Sequence, residues 1–402
     1  MLVNNSGRDV GMTKSTENLP ADLLQRARDM KPRLRELAEQ AENERCIPTE
    51  TIEAFRDAGF FRILQPRSYG GYELSPQNLT DVVFEVASAC GSSGWTLAVL
   101  GLHQWEVQLL SEQAMEEIWS ENREVLLSSA YAPTGQVVPV DGGFRLTGRW
   151  PYSSGCDHAE WAILGGFTSH ADEGQGPMHC GFFVPASDYR IVDDWQTMGL
   201  AGTGSKTIEL DDVFVPSHRH HPIFGFAPAP PEGASPIYRI PFGLVFVDAL
   251  CATVHGIAQG VHDLSLERCL TRQQGMDPAK YQDNPDVHRY LAETEYAIRS
   301  ATSMRVQNQS EAMRIVGEGG ELSMLQKARY LWEAAKSSHV CAEAVARLYA
   351  VSGAHTIYQG DPLQRAWRDC QAGVTHMAFN FNLHGRNYGA MRLGKPNTLT
   401  FI

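Results

Sequence analysis

Two hydroxyl side chains and a glycine, Ser153-Ser154-Gly155, follow directly on an aromatic run and have the groups needed to line a flat ligand. The run begins at the turn signal of residues 141–143 and ends at Tyr152. Each serine offers one donor and two acceptor lone pairs, and glycine lets a ligand approach the backbone closely. A plain polar turn uses the same residue types, so the pattern alone leaves both interpretations open.

Two histidines lie in otherwise apolar stretches and are candidates for proton chemistry. His103 falls within residues 87–110, and His376 falls within residues 351–381. An unperturbed imidazole titrates at about pH 6.5, so either ring can deprotonate a phenol or hold its oxyanion. A lone histidine of this kind is also often a packed core group. No Asp or Glu occurs between Asp369 and Phe381, so a carboxylate base is missing beside His376.

A glycine-rich stretch, residues 198–207, is a candidate for binding a phosphate or a ribityl chain. Gly202-Thr203-Gly204-Ser205 would supply oriented N–H groups and hydroxyls, although glycine and threonine also build ordinary hairpins. The adjacent histidines of His218-Arg219-His220-His221 lack the i, i+4 spacing of two ligands on one helix face. We therefore expect an exposed loop there, and no metal site.

The composition indicates an ordinary globular protein. The chain has 402 residues, 43% of them hydrophobic and 20% charged, with eight scattered cysteines that suggest reduced, packed thiols. A formal net charge of -13 disfavours a nucleic-acid partner, which requires clustered Lys and Arg. The N-terminal residues lack the apolar core of a secretory signal, and Asp248 and His255 interrupt the most apolar stretch, residues 240–261. We expect a cytoplasmic protein without a membrane span.

The spacing of apolar residues changes twice along the chain, which predicts a mainly α fold with a central β domain. A helix break is expected at residues 91–94, and the first strand at residues 128–135. The predicted divisions are a disordered tail (1–18), a helical domain (19–124), a β domain (125–222), a linker (223–240) and a four-helix bundle (241–402). The helices of the bundle are expected near residues 242–274, 285–317, 321–352 and 362–390.

These motifs together resemble the acyl-CoA dehydrogenase superfamily. Tyr152 matches the tryptophan of its flavin-contacting loop, and Ser154 matches the threonine that bonds flavin N5. Pro362, Arg365 and Arg368-Asp369 match the terminal motif. The resemblance implies an N-terminal helical domain, a middle β-barrel and a C-terminal four-helix bundle. The SSGCDHA and GLHQW runs are more similar to its phenol monooxygenase branch, which includes 4-hydroxyphenylacetate 3-monooxygenase oxygenase components and the secosteroid phenol hydroxylase.

That branch implies a two-component, flavin-dependent aromatic monooxygenase. Reduced flavin, FMNH2 or FADH2, would come from a separate NAD(P)H:flavin reductase, and a C4a-hydroperoxide formed with O2 would hydroxylate a phenolic ring. No nicotinamide site is predicted, because the glycine-rich segments do not follow a βαβ pattern. The resemblance also implies a homotetramer built through the bundle, with Arg272 near the adenine. An acyl-CoA dehydrogenase-like oxidoreductase and a non-catalytic flavin-binding protein stay open as alternatives.

The resemblance also assigns roles to individual residues. The catalytic candidates are His376, His103 and Ser154. The cofactor-binding candidates are Ser129, Tyr131, Ala132, Pro133, Tyr152, Ser153, Ser154, Gly202, Thr203, Gly204, Ser205 and Arg368. The substrate-binding candidates are His103, Trp105, Tyr131 and His376.

Overall fold

The computed structural model describes residues 18–168, 177–223, 233–271 and 281–399. Within them, α-helices lie on both sides of a central all-β segment, which confirms the predicted fold class. Arg272, nearly all of the predicted tail and half of the predicted linker lie outside the described residues. The division of the chain into domains stays a prediction.

The helices before the β segment place His103 in the middle of the molecule. They are α1 (Leu19–Glu44), α2 (Thr49–Asp57), α3 (Pro76–Ala89), α4 (Gly91–Glu106) and α5 (Glu112–Trp119). Every residue of α4 is buried. The break predicted at 91–94 is wrong, because only the extended Cys90 separates α3 from α4. A Cβ on Gly94 would lie 2.4 Å from the Cβ of Ala87, so this glycine permits close packing of the two helices.

The β segment contains two four-stranded sheets within the described residues. Its strands are β1 (Leu127–Ala130), β2 (Gln136–Val140), β3 (Gly143–Ser153), β4 (Trp161–Thr168), β5 (Met178–Pro185), β6 (Arg190–Val192), β7 (Lys206–Pro216) and β8 (His220–Pro222). The strand orders are β1-β4-β5-β8 and β2-β3-β7-β6, and only the β1–β4 pairing is parallel. The first strand is shorter than the expected 128–135 and ends at Ala130.

The C-terminal helices differ from the predicted bundle in one respect that shapes the site. They are α6 (Phe242–Thr271), α7 (Pro285–Gly317), α8 (Met324–Ala350), α9 (Pro362–Gly373) and α10 (Phe381–Arg392). The continuous helix expected at 362–390 is wrong, since residues 374–380 separate α9 from α10. The His376 ring accepts from the Ala378 N–H and caps a short 3-10 turn (Met377–Phe379), and the Asn380 side chain accepts from the Leu383 N–H and caps the start of α10.

Helix α6 is the central helix of this half and packs against α3, α4, α7, α8 and α9. It is the one helix in the described part of the chain that is long and apolar enough to cross a membrane. In its most apolar 18-residue window, 89% of the residues are buried inside the molecule, as suits a core helix. Its first turns bring Phe242 and Phe246 to the rings of the β segment.

Candidate active site

A continuous series of ring contacts joins the two candidate histidines. The His103 ring lies 6.0 Å from the Tyr131 ring, and the Tyr131 ring lies 5.6 Å from the Phe246 ring. The Phe246 ring in turn lies 5.8 Å from the His376 ring. Helix α4, the end of β1, helix α6 and the α9–α10 break each contribute one ring. We refer to His103, Tyr131, Phe246 and His376 as the aromatic wall.

A chain of hydroxyl groups begins at the other side of His376, whose ring lies 5.8 Å from that of Trp95. The Trp95 Nε1–H donates to Ser154 Oγ at 3.2 Å, Ser154 Oγ lies 2.7 Å from Ser205 Oγ, and Ser205 Oγ lies 2.7 Å from Thr203 Oγ1. The Thr203 hydroxyl donates to the Leu200 carbonyl oxygen at 2.8 Å.

The direction of every hydrogen bond in this chain follows from its two ends. An indole N–H only donates, and a carbonyl oxygen only accepts. Because Thr203 gives its hydrogen to Leu200, Ser205 must donate to Thr203, and Ser154 must donate to Ser205. Ser154 accepts from Trp95, and among the described residues nothing donates to its second lone pair. We call this chain, from Trp95 through Ser154, Ser205 and Thr203 to Leu200, the hydroxyl relay.

An irregularity in β3 brings Ser154 to this position. The β3–β7 register shifts between Trp150 and Ser153, and Tyr152 between them has a φ of 71°, which is costly for a residue with a Cβ. The Tyr152 ring projects outward with 66% of its surface exposed. The Ser153 hydroxyl instead donates to Ser128 Oγ at 3.0 Å, outside the hydroxyl relay. Two adjacent serines predicted to bind cofactor therefore belong to different hydrogen-bond networks.

The terminal Arg-Asp pair holds the glycine-rich loop. The Leu200 N–H donates to Asp369 Oδ1 at 2.6 Å, and burial raises the pKa of Asp369 to about 6. The guanidinium of Arg368 donates to the Met198 carbonyl oxygen and pairs with Glu42 at 2.5 Å. Arg368, predicted to bind cofactor, thus already bonds the loop and α1. It positions the residues that carry the hydroxyl relay.

The two predicted glycines of this loop permit close packing. A Cβ on Gly202 would lie 2.9 Å from the Ala41 carbonyl oxygen of α1. Gly204 has a φ of 54°, and a Cβ there would lie 2.7 Å from Asp157 Oδ2. The loop is therefore held between α1 and the turn that follows Ser154.

A buried carboxylate, Glu106, collects three donors behind the aromatic wall. His103 Nδ1 lies 2.8 Å from Glu106 Oε2, His221 Nε2 lies 3.0 Å from Glu106 Oε1, and the Tyr131 hydroxyl also donates to Glu106 Oε2. Burial alone would raise the pKa of Glu106, but the hydrogen bonds from the two histidines lower it to about 2. The exposed loop expected at 218–221 is wrong at His221, which lies in β8 with 2% of its surface exposed.

The two histidines of the aromatic wall present different groups. Glu106 is ionised and only accepts, so His103 carries its hydrogen on Nδ1 and has a lone pair on Nε2. His376 Nδ1 accepts from the Ala378 N–H at 3.1 Å, so its hydrogen is on Nε2. Burial lowers the pKa of His376 to about 4, which keeps the ring neutral.

Four of the other predicted residues lie at the margin of this arrangement. The Trp105 Nε1–H donates to the Ile237 carbonyl oxygen, and its ring stacks on Phe242 at 5.9 Å, so Trp105 reaches the aromatic wall only through Phe242, whose ring contacts Tyr131. Ala132 and Pro133 are exposed in the loop after β1. Ser129 is buried within β1.

The residues present fit a flat ring with polar edges, such as a flavin. Two buried polar atoms of α4, His103 Nε2 and Thr96 Oγ1, have no hydrogen-bond partner among the described residues. An unpaired buried polar atom costs about 1–3 kcal/mol, and a ligand that bonded these two atoms would remove that cost. Ser154 adds its unused lone pair, and Tyr152 adds an exposed aromatic face. Among the same described residues, no three His, Cys, Asp or Glu side chains come together in a way that could hold a metal ion.

Sequence reasoning missed Glu106, His221 and Trp95. For Glu106 a signal existed, because it is the one acidic residue of a fully buried helix and lies three positions after His103. For His221 the adjacent histidines were misleading, since its role depends on β8 pairing with β5 beside α4. Trp95 had no signal other than its aromatic ring.

Comparison with known proteins supports the resemblance. Residues 22–119 match the acyl-CoA dehydrogenase N-terminal domain model, and residues 249–381 match the C-terminal domain model. The oxygenase subunit HsaA of a flavin-dependent monooxygenase from Rhodococcus jostii (strain RHA1) is 35% identical, over 94% of this chain and 100% of its own. The oxygenase component of an FADH(2)-dependent resorcinol hydroxylase from Rhizobium sp. (strain MTP-10005) is 31% identical, over 90% and 91%. The structure of XiaF from Streptomyces sp., in complex with FADH2 and glycerol, has a TM-score of 0.89, at 25% identity over 96% and 98%.

Proposed function

Because the chain belongs to the acyl-CoA dehydrogenase superfamily, in its branch of flavin-dependent monooxygenase oxygenase subunits, we propose that it hydroxylates a phenolic ring with reduced flavin and O2. The expected position is ortho to the phenol oxygen. When bound, the reduced flavin supplies two electrons, so that one atom of O2 enters the ring and the other leaves as water. The resorcinol hydroxylase and XiaF are both associated with FADH2, which favours that flavin over FMNH2.

The hydroxyl relay supports a preference for the reduced form. Reduced flavin carries a hydrogen on N5, whereas oxidised flavin has a lone pair there. Ser154 has given its hydrogen to Ser205 and retains a lone pair, so it is ready to accept from N5–H. The oxidised form would place two lone pairs against each other, and it would leave the site more readily. An enzyme that receives its flavin from a separate reductase requires this order of affinities.

One observation carries the assignment of roles: the aromatic wall ends in an acceptor at His103 and a donor at His376. His103 Nε2 can accept the proton of a phenol and so raise the electron density of the ring. His376 Nε2–H could donate a hydrogen bond to an oxygen atom of a bound reactant, but it has no free lone pair with which to act as a base. Of the two roles that the sequence left open for His376, base or oxyanion holder, the structure therefore favours the second.

The decisive experiment uses chemically reduced FAD, 18O2 and a panel of phenols that includes resorcinol and 4-hydroxyphenylacetate. We expect one 18O atom in the product, with the wild type and with the control His218→Gln, whose histidine bonds Glu117 at the surface. His103→Phe should form little product and release hydrogen peroxide. Reduction of bound oxidised FAD by an acyl-CoA would instead support a dehydrogenase, and peroxide without product for every phenol would support a non-catalytic flavin-binding protein.

We further propose a homotetramer formed through the C-terminal helices, in the cytoplasm, with a separate NAD(P)H:flavin reductase as its partner. Several large apolar side chains of this half are exposed in the single chain, including Tyr296 (74%), Ile357 (70%) and Leu393 (83%). Contact with other copies would remove them from water. Light scattering should give the mass of four chains, and a monomer that still hydroxylates phenols would contradict the assembly without touching the chemistry.

A further inference from the structure

We infer that Glu106 and His221 form a buried ion pair that positions His103 as the acceptor of the substrate's phenolic proton. The inference rests on the proposed function. It assigns a role to two residues that lie behind the aromatic wall. Both are positioning residues, because they act through the His103 ring.

The first step of the argument is the protonation of His221. Its Nε2 lies 3.0 Å from Glu106 Oε1, and its Nδ1 lies 2.7 Å from the Pro222 carbonyl oxygen. Both oxygens only accept, so each ring nitrogen must carry a hydrogen for both contacts to be favourable. This arrangement selects an imidazolium at His221, next to the Glu106 carboxylate. Burying either charge alone would be expensive, whereas the pair is neutral.

The second step is the fixed orientation of His103. Its Nδ1–H is held by Glu106 Oε2 at 2.8 Å, and Nε2 is buried with no partner in the part of the chain that the structure describes. Tyr131 competes for the same carboxylate oxygen, but burial and the charge of Glu106 raise its pKa well above the usual value, so it remains a neutral donor. The groups that face Glu106 are therefore one cation, one neutral tyrosine and one neutral histidine.

The third step is the balance of charge during proton transfer. The phenol O–H bond breaks, its electron pair stays on the oxygen, and a new N–H bond forms at His103 Nε2. The resulting imidazolium lies between a phenolate on one side and the Glu106 carboxylate on the other. Together with His221 these charges sum to zero before and after transfer. Glu106 itself stays ionised and stabilises the imidazolium without taking its proton.

The first test requires neither flavin nor turnover. Histidine labelled with 15N in the whole protein reports which ring nitrogen carries hydrogen, and His103→Gln identifies the signal. We expect the Nδ1–H form for His103 in the wild type and in the control Gln104→Met, which removes a neutral buried network on the same helix. Glu106→Gln should populate the Nε2–H form as well. A wild-type His103 with its hydrogen on Nε2 would overturn the inference, whatever the protein's activity.

The second test measures the hydroxylation step against pH, with phenols of graded acidity. Glu106→Gln should slow hydroxylation of a weakly acidic phenol by roughly 10- to 100-fold, the usual effect of losing a charged hydrogen-bond partner. The loss should shrink with 4-nitrophenol, which ionises more easily. The acid limb is the pH range in which the rate falls as the base becomes protonated. It should move to lower pH in Glu106→Gln, which removes a negative charge beside His103. It should move to higher pH in His221→Gln, which keeps an N–H donor but removes the positive charge.

The two variants thus have opposite signs, which damage to the fold cannot produce. Gln104→Met should leave the profile in place even if it lowers stability. If the acid limb moved in the same direction in Glu106→Gln and in His221→Gln, or if the rate fell equally for all phenols, the positioning role would be rejected. If no phenol is hydroxylated even by the wild type, the proposed function fails, and the labelled histidine still decides the state of His103.

Discussion

Replacing Ser205 by alanine should change which redox form of flavin the protein prefers. Ser205 accepts a hydrogen bond from Ser154 and donates one to Thr203. It is therefore the residue that keeps the Ser154 hydroxyl hydrogen occupied. Without it, Ser154 still accepts from Trp95 Nε1–H but is free to donate its hydrogen elsewhere. Oxidised flavin, which has a lone pair on N5, would then gain a hydrogen bond. Reduced flavin would lose little, because the freed hydroxyl can still accept.

The size of the effect follows from the worth of one hydrogen bond. A net gain of about 0.5–1.5 kcal/mol corresponds to a roughly 2- to 12-fold tighter binding of oxidised FAD. The assay is calorimetric or fluorescence titration with oxidised FAD, paired with anaerobic titration with dithionite-reduced FAD. The quantity of interest is the ratio of the two dissociation constants, which should move toward unity in Ser205→Ala.

Ser153→Ala is the matched control, because it makes the same chemical change one residue before Ser154. Its hydroxyl bonds Ser128, outside the hydroxyl relay, so the ratio should stay at the wild-type value. General damage to the site would weaken both flavins, and it cannot tighten one of them. Weaker binding of oxidised FAD in Ser205→Ala, or the same change of ratio in both variants, would refute the assigned direction of the relay.

Three further predictions concern residues of the same site. Ser154→Ala leaves the Trp95 N–H buried and unpaired, at a cost of about 1–3 kcal/mol, and should raise hydrogen peroxide release per flavin oxidised; unchanged peroxide release would remove Ser154 from the flavin contacts. His376→Ala should lower the rate of hydroxylation by roughly 10²–10³, the usual effect of removing one hydrogen-bond donor to a developing charge, while His376→Gln, which keeps an N–H near the position of Nε2, should retain more; equal losses would argue for a base instead. Burial raises the pKa of Asp369 from its usual 3.8 to about 6, so its stabilising contribution is complete below about pH 4 and is lost as the pH rises through 6. The melting temperature of the wild type relative to Asp369→Asn should therefore fall over that window, by the equivalent of up to about 3 kcal/mol, and a constant difference would contradict it.

The parts of the fold that the sequence predicted well are those in which local periodicity and tertiary packing agree. The two changes of apolar spacing mark the β segment, and its strands run from Leu127 to Pro222. The helix break at 374–380 could not be read in this way, because apolar spacing continues across it. It depends on the His376 and Asn380 side chains capping backbone N–H groups, a choice that competes with helix continuation only in the folded context.

The candidate site likewise has features that the local sequence predicts and features that only tertiary contacts determine. Ser154 and the two histidines stand out as polar groups among apolar neighbours, so residue type alone selects them. The direction of the hydroxyl relay needs the Leu200 carbonyl oxygen, which comes near only when Asp369 holds the loop by its N–H. The second partner of Glu106 is equally inaccessible to a linear reading, since His221 lies 115 residues beyond it. The types of the site residues could be read from the sequence, but their protonation states depend on contacts between residues far apart in the chain.

Helix α6 contributes Phe242 and Phe246, one turn apart, with ring centroids 6.0 Å from each other. Both rings contact Tyr131, and Phe246 also contacts His376, but neither takes part in the hydrogen bonds that fix the protonation states. Their size can therefore vary independently of the catalytic groups. Smaller residues there would admit bulkier rings, and larger ones would exclude them, with oxygen activation left intact. Substrate range in such an enzyme is separable from reactivity, which makes the start of α6 the natural place to diversify when a new aromatic compound is to be accepted.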